Sequence, residues 1–209
     1  MDTALLTEGG GNARAELLLI GLGYQARVGK DSLAHELVSA HGFTQIAFAD
    51  ALRDLAPKVD PHLQSVLDAW GGDWEVAKGQ DPSVRVSLQR VGESAREILG
   101  RDVWVRALAR RLGSAGRYVV SDVRHYEEVQ FIRQHRGLLV NVCRPGVGAA
   151  NGHSSEHALD EWMGWDATVQ NDGGLEDIAA AAAWLVALAG RITAGARPIG
   201  PAEFSCAFH

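Results

Sequence analysis

The run GLGYQARVGKDS, Gly21–Ser32, stands between two segments of different character. Before it lies ELLLIGLG (Glu16–Gly23), a short apolar run that suits a strand buried on both faces. After it, Leu33, Leu37 and Val38 recur at helical spacing between Lys30 and Ala40. The order is strand, glycine-rich turn, helix. The turn approaches the phosphate-loop pattern G-x-x-x-x-G-K-[ST] with two departures. The first glycine falls at Gly23, one residue early, with Tyr24 in its place, and Asp31 follows Lys30 where a hydroxyl is usual, with Ser32 one step on. A phosphate loop needs backbone N–H groups aimed at one concavity, a helix N-terminus behind them and a lysine within reach. Gly29, Lys30 and the following helix supply the last two. The alternative is an ordinary βα turn with a solvated lysine.

The 209 residues suit one domain with a sizeable core. Hydrophobic residues make up 46% and charged residues 22%, as in ordinary globular proteins. A net charge of -6 without a long basic run argues against a protein that wraps nucleic acid. Cys143 and Cys206 are far apart, so neither a disulfide framework nor a cysteine zinc site is expected, and a reducing cytoplasm fits. The N-terminus does not read as a signal peptide. The most apolar stretch, Ile178–Gly190, is shorter than the ~20 residues of a membrane span and reads as a buried helix.

The remaining elements alternate. Strands are expected at Phe43–Asp50, Arg117–Asp122, Gly137–Val142 and Ala167–Asn171, giving five with the first. Helices are expected after the second strand, over Val84–Gly100, Arg101–Leu112 and Tyr126–His135, and in a long terminal segment from Leu175. Asp60–Pro82 reads as irregular. Residues 1–15 read as a loose leader, 16–194 as the folded domain, and 195–209 as a tail, weakly ordered or packed down as an arm. The expected architecture is α/β, three-layered, a mostly parallel five-stranded sheet with helices on both faces. Ligands then bind beyond the C-terminal strand ends.

Several residues fall at that edge. Asp122 ends the strand RYVVSD, with Arg124 two residues on. Asp122 either holds Mg²⁺ through water or caps the next helix. Arg144 follows the strand GLLVNVC, and arginine suits planar phosphate oxygens. Asp31 either approaches a metal or complements the helix dipole. Asp50 and Arg53 follow the second strand, with Asp50 also a natural helix cap. HSSE (His153–Glu156) reads as a helix start rather than a catalytic pair. No Cys/His cluster, G-x-S-x-G elbow or guanine-type N-K-x-D string occurs.

In order along the chain stand GKDS (Gly29–Ser32), FADALRD (Phe48–Asp54), VRVSLQRVGE (Val84–Glu93), DVW (Asp102–Trp104), VVSDVRHYEE (Val119–Glu128), VCRPG (Val142–Gly146), HSSE and DATVQNDGGLEDI (Asp166–Ile178). This ordered set, over roughly residues 17–190, resembles the bacteriophage deoxynucleoside monophosphate kinases of the P-loop nucleoside monophosphate kinase group. The resemblance implies a P-loop kinase that moves the γ-phosphate of ATP to a deoxynucleoside 5′-monophosphate, for phage DNA precursor supply, in the cytoplasm of the host. It implies that Lys30 and the amides of Gly23, Arg27, Val28 and Gly29 hold the ATP phosphates, with Ser32 on the α/β side. Asp31, Ser32 and Asp122 would anchor Mg²⁺, partly through water. Arg124, with Arg53, Arg85 or Arg96, would grip the acceptor phosphate, with Asp50, Gln89 and Trp70 also at the acceptor. Trp74 is a second stacking candidate. Arg144 would bridge donor and acceptor, and Asn171–Gly173 would lie against the adenine. An acceptor insert at about 53–100 and a lid at about 145–165 are implied, with no nucleic-acid or membrane partner and a homodimer left open. Two rivals stand beside this reading: a kinase for another small acceptor, such as a dephospho-coenzyme A-like molecule, and a nucleotide switch or ATPase.

Overall fold

The computed structural model describes residues 16–23, 25–147, 157–196 and 202–205. The expected leader (residues 1–15), Tyr24, and residues 148–156 of the expected lid, HSSE among them, lie outside the described residues. Strand β1 (Leu17–Gly23) sits in the middle of the sheet, between β3 (Gly116–Val123) and β4 (Leu138–Cys143). Beyond β3 lies β2 (Thr44–Ile46); beyond β4 lie β5 (Ala167–Gln170) and β6 (Ala202–Ser205). Every pairing is parallel.

Burial of a strand on both faces alternates its side chains between two cores. Ile20, Leu22, Val119, Leu138 and Val140 join one, beneath α1 (Lys30–His41) and α8 (Leu175–Thr193). Leu19, Val120 and Leu139 join the other, with Trp104 of α6 (Val103–Ala109) and Ile132 of α7 (Tyr126–Gln134). These are the expected three layers. A third, smaller core joins α2 (Ala49–Val59), α3 (Pro61–Ala69), α4 (Trp74–Gln80) and α5 (Pro82–Leu99) through Ala56, Leu63, Leu67, Ala77 and Val84.

Three expectations are corrected. The sheet has six strands, not five, because Ala202–Ser205 in the expected tail pairs with β5. The second strand stops at Ile46. The Asp122 carboxylate accepts the N–H groups of Phe48 (2.8 Å) and Ala49 (2.9 Å), which turns the chain into α2. Asp60–Pro82 is helical rather than irregular. Asp60 accepts from His62 and Leu63, Asp73 from Glu75 and Val76, and Asp81 from Ser83. Pro61 and Pro82 each occupy a first helical turn, where no N–H is needed.

The chain moves to one side of β1 through α1 and crosses to the other between β3 and β4 through α7. This reversal places the ends of β1, β3 and β4 around one crevice, where open α/β sheets bind ligands.

Candidate functional site

One side of the crevice is the turn from β1 to α1. Gly29 precedes the helix with φ +94°, and a Cβ there would lie 2.0 Å from Nδ2 of Asn171. Glycine is therefore required both by conformation and by space. Arg27 is also left-handed, at φ +64°. Val28 is fully buried and pins the turn to the core. Lys30 is 6% exposed, and its ammonium donates to the Gln25 carbonyl across the turn. Asp31 and Ser32 are exposed in the first helical turn. Gly29 brings no side chain to cap the first amides of α1, which leaves a helix N-terminus suited to an anion. At Gly23 a Cβ would lie 2.2 Å from the Trp165 indole, so that ring closes over the end of β1.

The other side is a cavity of about 210 Å³ beyond the end of β3. Its cations are Arg53 of α2, Lys78 of α4, Arg85 and Arg96 of α5, and Arg124. Arg85, Gln89, Gly92 and Arg96 recur at helical spacing, so one face of α5 forms a wall. Phe48, Leu52, Leu88 and Trp104 form an apolar floor, and Trp104 donates its indole N–H to the Gly92 carbonyl at 3.3 Å.

Two carboxyls sit at the end of β3. Asp122 holds the start of α2 rather than α7, through one N–H on each oxygen. Glu128 holds the start of α7: its Oε2 accepts the N–H groups of Arg124 (2.6 Å) and His125 (3.0 Å). Glu128 is 4% exposed, and burial, with the Asp122 charge beside it, pushes its carboxyl up to about 8. Burial also raises Asp122, against the bonds from Ala49 and Phe48 and the charges of Arg53 and Arg124. At neutral pH the pair carries less than its formal negative charge, and the cavity is left cationic.

Arg96 is the sharpest sign of an anion site. Its side chain is 11% exposed and Nη2 lies 3.4 Å from Glu127. Nη1 is buried with no hydrogen-bond partner among the described residues. A buried guanidinium nitrogen in that state calls for an oxyanion.

The residues read from the sequence are distributed as follows. Arg53, Arg85, Gln89, Arg96, Asp122 and Arg124 line the cavity together. Gly23, Arg27, Val28, Gly29, Lys30, Asp31 and Ser32 form the turn beside it. Asp50 stands behind the cavity, braced on Arg53 (3.2 Å), Arg111 (3.6 Å) and the Ala47 N–H (2.8 Å). Trp70 ends α3, 41% exposed and outside the lining. Trp74 packs on the third core. Arg144 is exposed past β4. Asn171 Nδ2 donates to the Val28 carbonyl at 2.8 Å. Gly173 passes so close to Asp177 that a Cβ would lie 2.0 Å from its Oδ2.

Lys78, Glu93, Trp104, His125 and Glu128 also line the cavity and were not singled out. The position of Glu128, three residues past the cap His125, is a capping signal that could have marked it.

Among the described residues no group of three or more His, Cys, Asp or Glu could hold a metal unaided. Asp31, Ser32 and Asp122 offer the hard oxygens that Mg²⁺ takes alongside water and phosphate oxygens. Both Asp122 oxygens already accept a backbone N–H, which favours contact through water.

A glycine turn leading into a lysine-headed helix, at the centre of a parallel sheet and one strand from a cationic cavity, defines the class of P-loop nucleotide kinases. The family model for deoxynucleotide monophosphate kinase matches residues 75–181. A protein of Acanthamoeba polyphaga mimivirus, provisionally named a deoxynucleotide monophosphate kinase, is 27% identical over 180 residues, which covers 77% of this chain and 92% of that protein. The chain belongs to the deoxynucleotide monophosphate kinase family and is a kinase enzyme. The match spans the α5 wall of the cavity and strands β3, β4 and β5. No helix among the described residues is long and apolar enough to cross a membrane.

Proposed function

We propose that this chain transfers the γ-phosphoryl group of ATP to a deoxynucleoside 5′-monophosphate, giving the diphosphate and ADP. The observation that carries this is Arg96 Nη1, buried and unpartnered among the described residues in a cavity shared with Arg53, Arg85 and Arg124. A monophosphate seated there lies one strand from the turn that would hold ATP. An acceptor phosphate oxygen forms the new bond to the γ-phosphorus as the bond to the β-bridging oxygen breaks, and the electron pair leaves with ADP. The second pKa of a phosphate ester is about 6, so the nucleophile is already ionised and no general base is needed. That leaves Asp122 and Glu128 free to hold backbone.

Positioning and charge stabilisation then carry the chemistry. Lys30 and the amides of Gly23, Arg27, Val28 and Gly29 bind the β- and γ-phosphates, with Ser32 on the α/β side. Arg124, with Arg53, Arg85 and Arg96, orients the acceptor phosphate, and Gln89 lies along the same wall. Asp50 braces Arg53, Arg144 reaches the transferring group, and Gly173 lies by the adenine. Mg²⁺ near Asp31, Ser32 and Asp122 would neutralise charge on the β- and γ-oxygens. Residues 145–165 serve as the lid and 53–100 as the acceptor insert. A role in DNA precursor supply for a phage, in the host cytoplasm, belongs to the same proposal; the name of the viral relative supports only its deoxynucleotide kinase part.

The test is ADP release with ATP, Mg²⁺ and each deoxynucleoside monophosphate in turn, beside Lys30→Ala. Acceptor-dependent turnover that disappears in the variant is the expected result. Slow release indifferent to every acceptor points to an ATPase switch. Turnover only with a dephospho-coenzyme A-like molecule points to the other kinase.

A further inference from the structure

The turn after β5 reaches back to the donor loop. The Asn171 backbone N–H donates to the Cys143 carbonyl at 2.8 Å, which ties the turn to the end of β4. From that anchor its side-chain Nδ2 donates to the Val28 carbonyl at 2.8 Å. The partner is a carbonyl, so the donating atom must be the amide nitrogen. Val28 is fully buried and cannot shift toward solvent.

The Val28 carbonyl and the Gly29 N–H belong to one peptide unit. In a trans peptide these two groups point in opposite directions. A carbonyl held toward Asn171 therefore aims the Gly29 N–H away from it, on the side of the loop away from β5. The fit is close: any side chain at position 29 would collide with the Asn171 amide, where a Cβ lies 2.0 Å from Nδ2.

We propose that Asn171 is a positioning residue for the donor loop: by holding the Val28 carbonyl, it aims the Gly29 amide at the phosphates of the nucleotide. The proposal rests on the kinase reading above for the identity of that ligand. It also gives Asn171 a different task from a contact with the base. A residue that reads adenine affects only ligands that carry adenine. A residue that orients a phosphate-binding amide affects any chain of phosphates.

The test is calorimetric titration of the full chain and its Asn171→Ala variant with ATP, inorganic tripolyphosphate and a deoxynucleoside monophosphate. Without the Asn171 bond the free loop can turn its Val28 carbonyl to another partner, and a ligand that must restore the productive orientation at a cost of about one buried hydrogen bond binds about 5- to 100-fold more weakly. The expected result is a loss of that order, equal for ATP and tripolyphosphate, with the monophosphate within about twofold. Gly29→Ala should also weaken tripolyphosphate less in the Asn171→Ala background than in the wild type, because the space for the methyl group has been vacated. A loss for ATP alone assigns Asn171 to the base and overturns the proposal. So does no loss, or an equal loss for all three ligands with a lower Tm. Wild-type protein that binds neither polyphosphate overturns this proposal and the kinase reading together. Binding as expected without acceptor turnover overturns only the kinase reading.

Discussion

The glycine loop after β1 and the cationic cavity beyond β3 lie one strand apart and are built differently. The loop is nearly continuous, Gly23–Ser32, and its shape comes from glycines, backbone carbonyls and a helix end. The cavity draws on α2, α4, α5, α6, the end of β3 and the start of α7, and its character comes from side-chain charge. A site made of backbone tolerates changes in side-chain chemistry but not in space or φ. A site made of side chains tolerates backbone detail only while its helices stay anchored. Asp122 and Glu128 provide that anchorage, one for the start of α2 and one for the start of α7.

The contrast can be broken at several points. Lys30→Ala removes the ammonium proposed to meet the ATP phosphates, and should lower kcat by about 10²- to 10³-fold while the Kd for monophosphate holds. Arg96→Met should raise the monophosphate KM about 10- to 100-fold and leave the ATP KM unchanged. Its Tm should not fall, because a buried cation with an unpaired nitrogen is replaced by an apolar group of similar length.

Glu128→Gln sharpens the comparison through pH. The Glu128 carboxyl rises from 4.5 to about 8 on folding, so the folded state holds a proton that the unfolded chain has released. The stability tied to that proton is complete below pH 4.5 and is lost as pH rises through about 8. The wild-type Tm should therefore decline over that window, and the Gln variant, whose amide oxygen still accepts the two N–H bonds, should decline less. Thermal melts across the pH range decide it. The smallest effect belongs to Asp50→Ala. Its pairs with Arg53 and Arg111 are partly exposed, so stability should change by about 1 kcal/mol or less and the acceptor KM by a fewfold.

The loop was legible because its signals are local: an apolar strand, two glycines, a lysine and a helical period. Asp122 and Arg124 could be placed at the ligand edge because open α/β sheets bind ligands beyond their strand ends, but the helix that Asp122 holds is α2, not the next one along the chain. The segment Asp60–Pro82 was misread because Trp70, Gly71, Gly72 and Trp74 suggest disorder in the pattern. Yet Asp60-Pro61 and Asp81-Pro82 are helix starts in plain view. Strand β6 was hidden by its shortness and the prolines before it. Glu128 lay within a local signal, three residues past its cap, but its burial, which with the nearby Asp122 charge raises its carboxyl, comes from packing that no sequence window shows. Asn171 belongs to another kind: its significance comes from a carbonyl at residue 28, far away in the chain, and no local window contains that partner.

The central place of β1 also bears on how the protein comes off the ribosome. Leu17 pairs with Gly116, and Ile20 with Leu138, so β1 has neither of its neighbours in the sheet until about a hundred further residues have emerged. At a synthesis rate of about 5–20 residues per second, that wait lasts several seconds or more. The donor loop waits longer still, for Asn171. The part of the enzyme that reads most plainly from the N-terminus is thus among the last to be completed, and its apolar strand is the stretch that a chaperone would have most reason to shield.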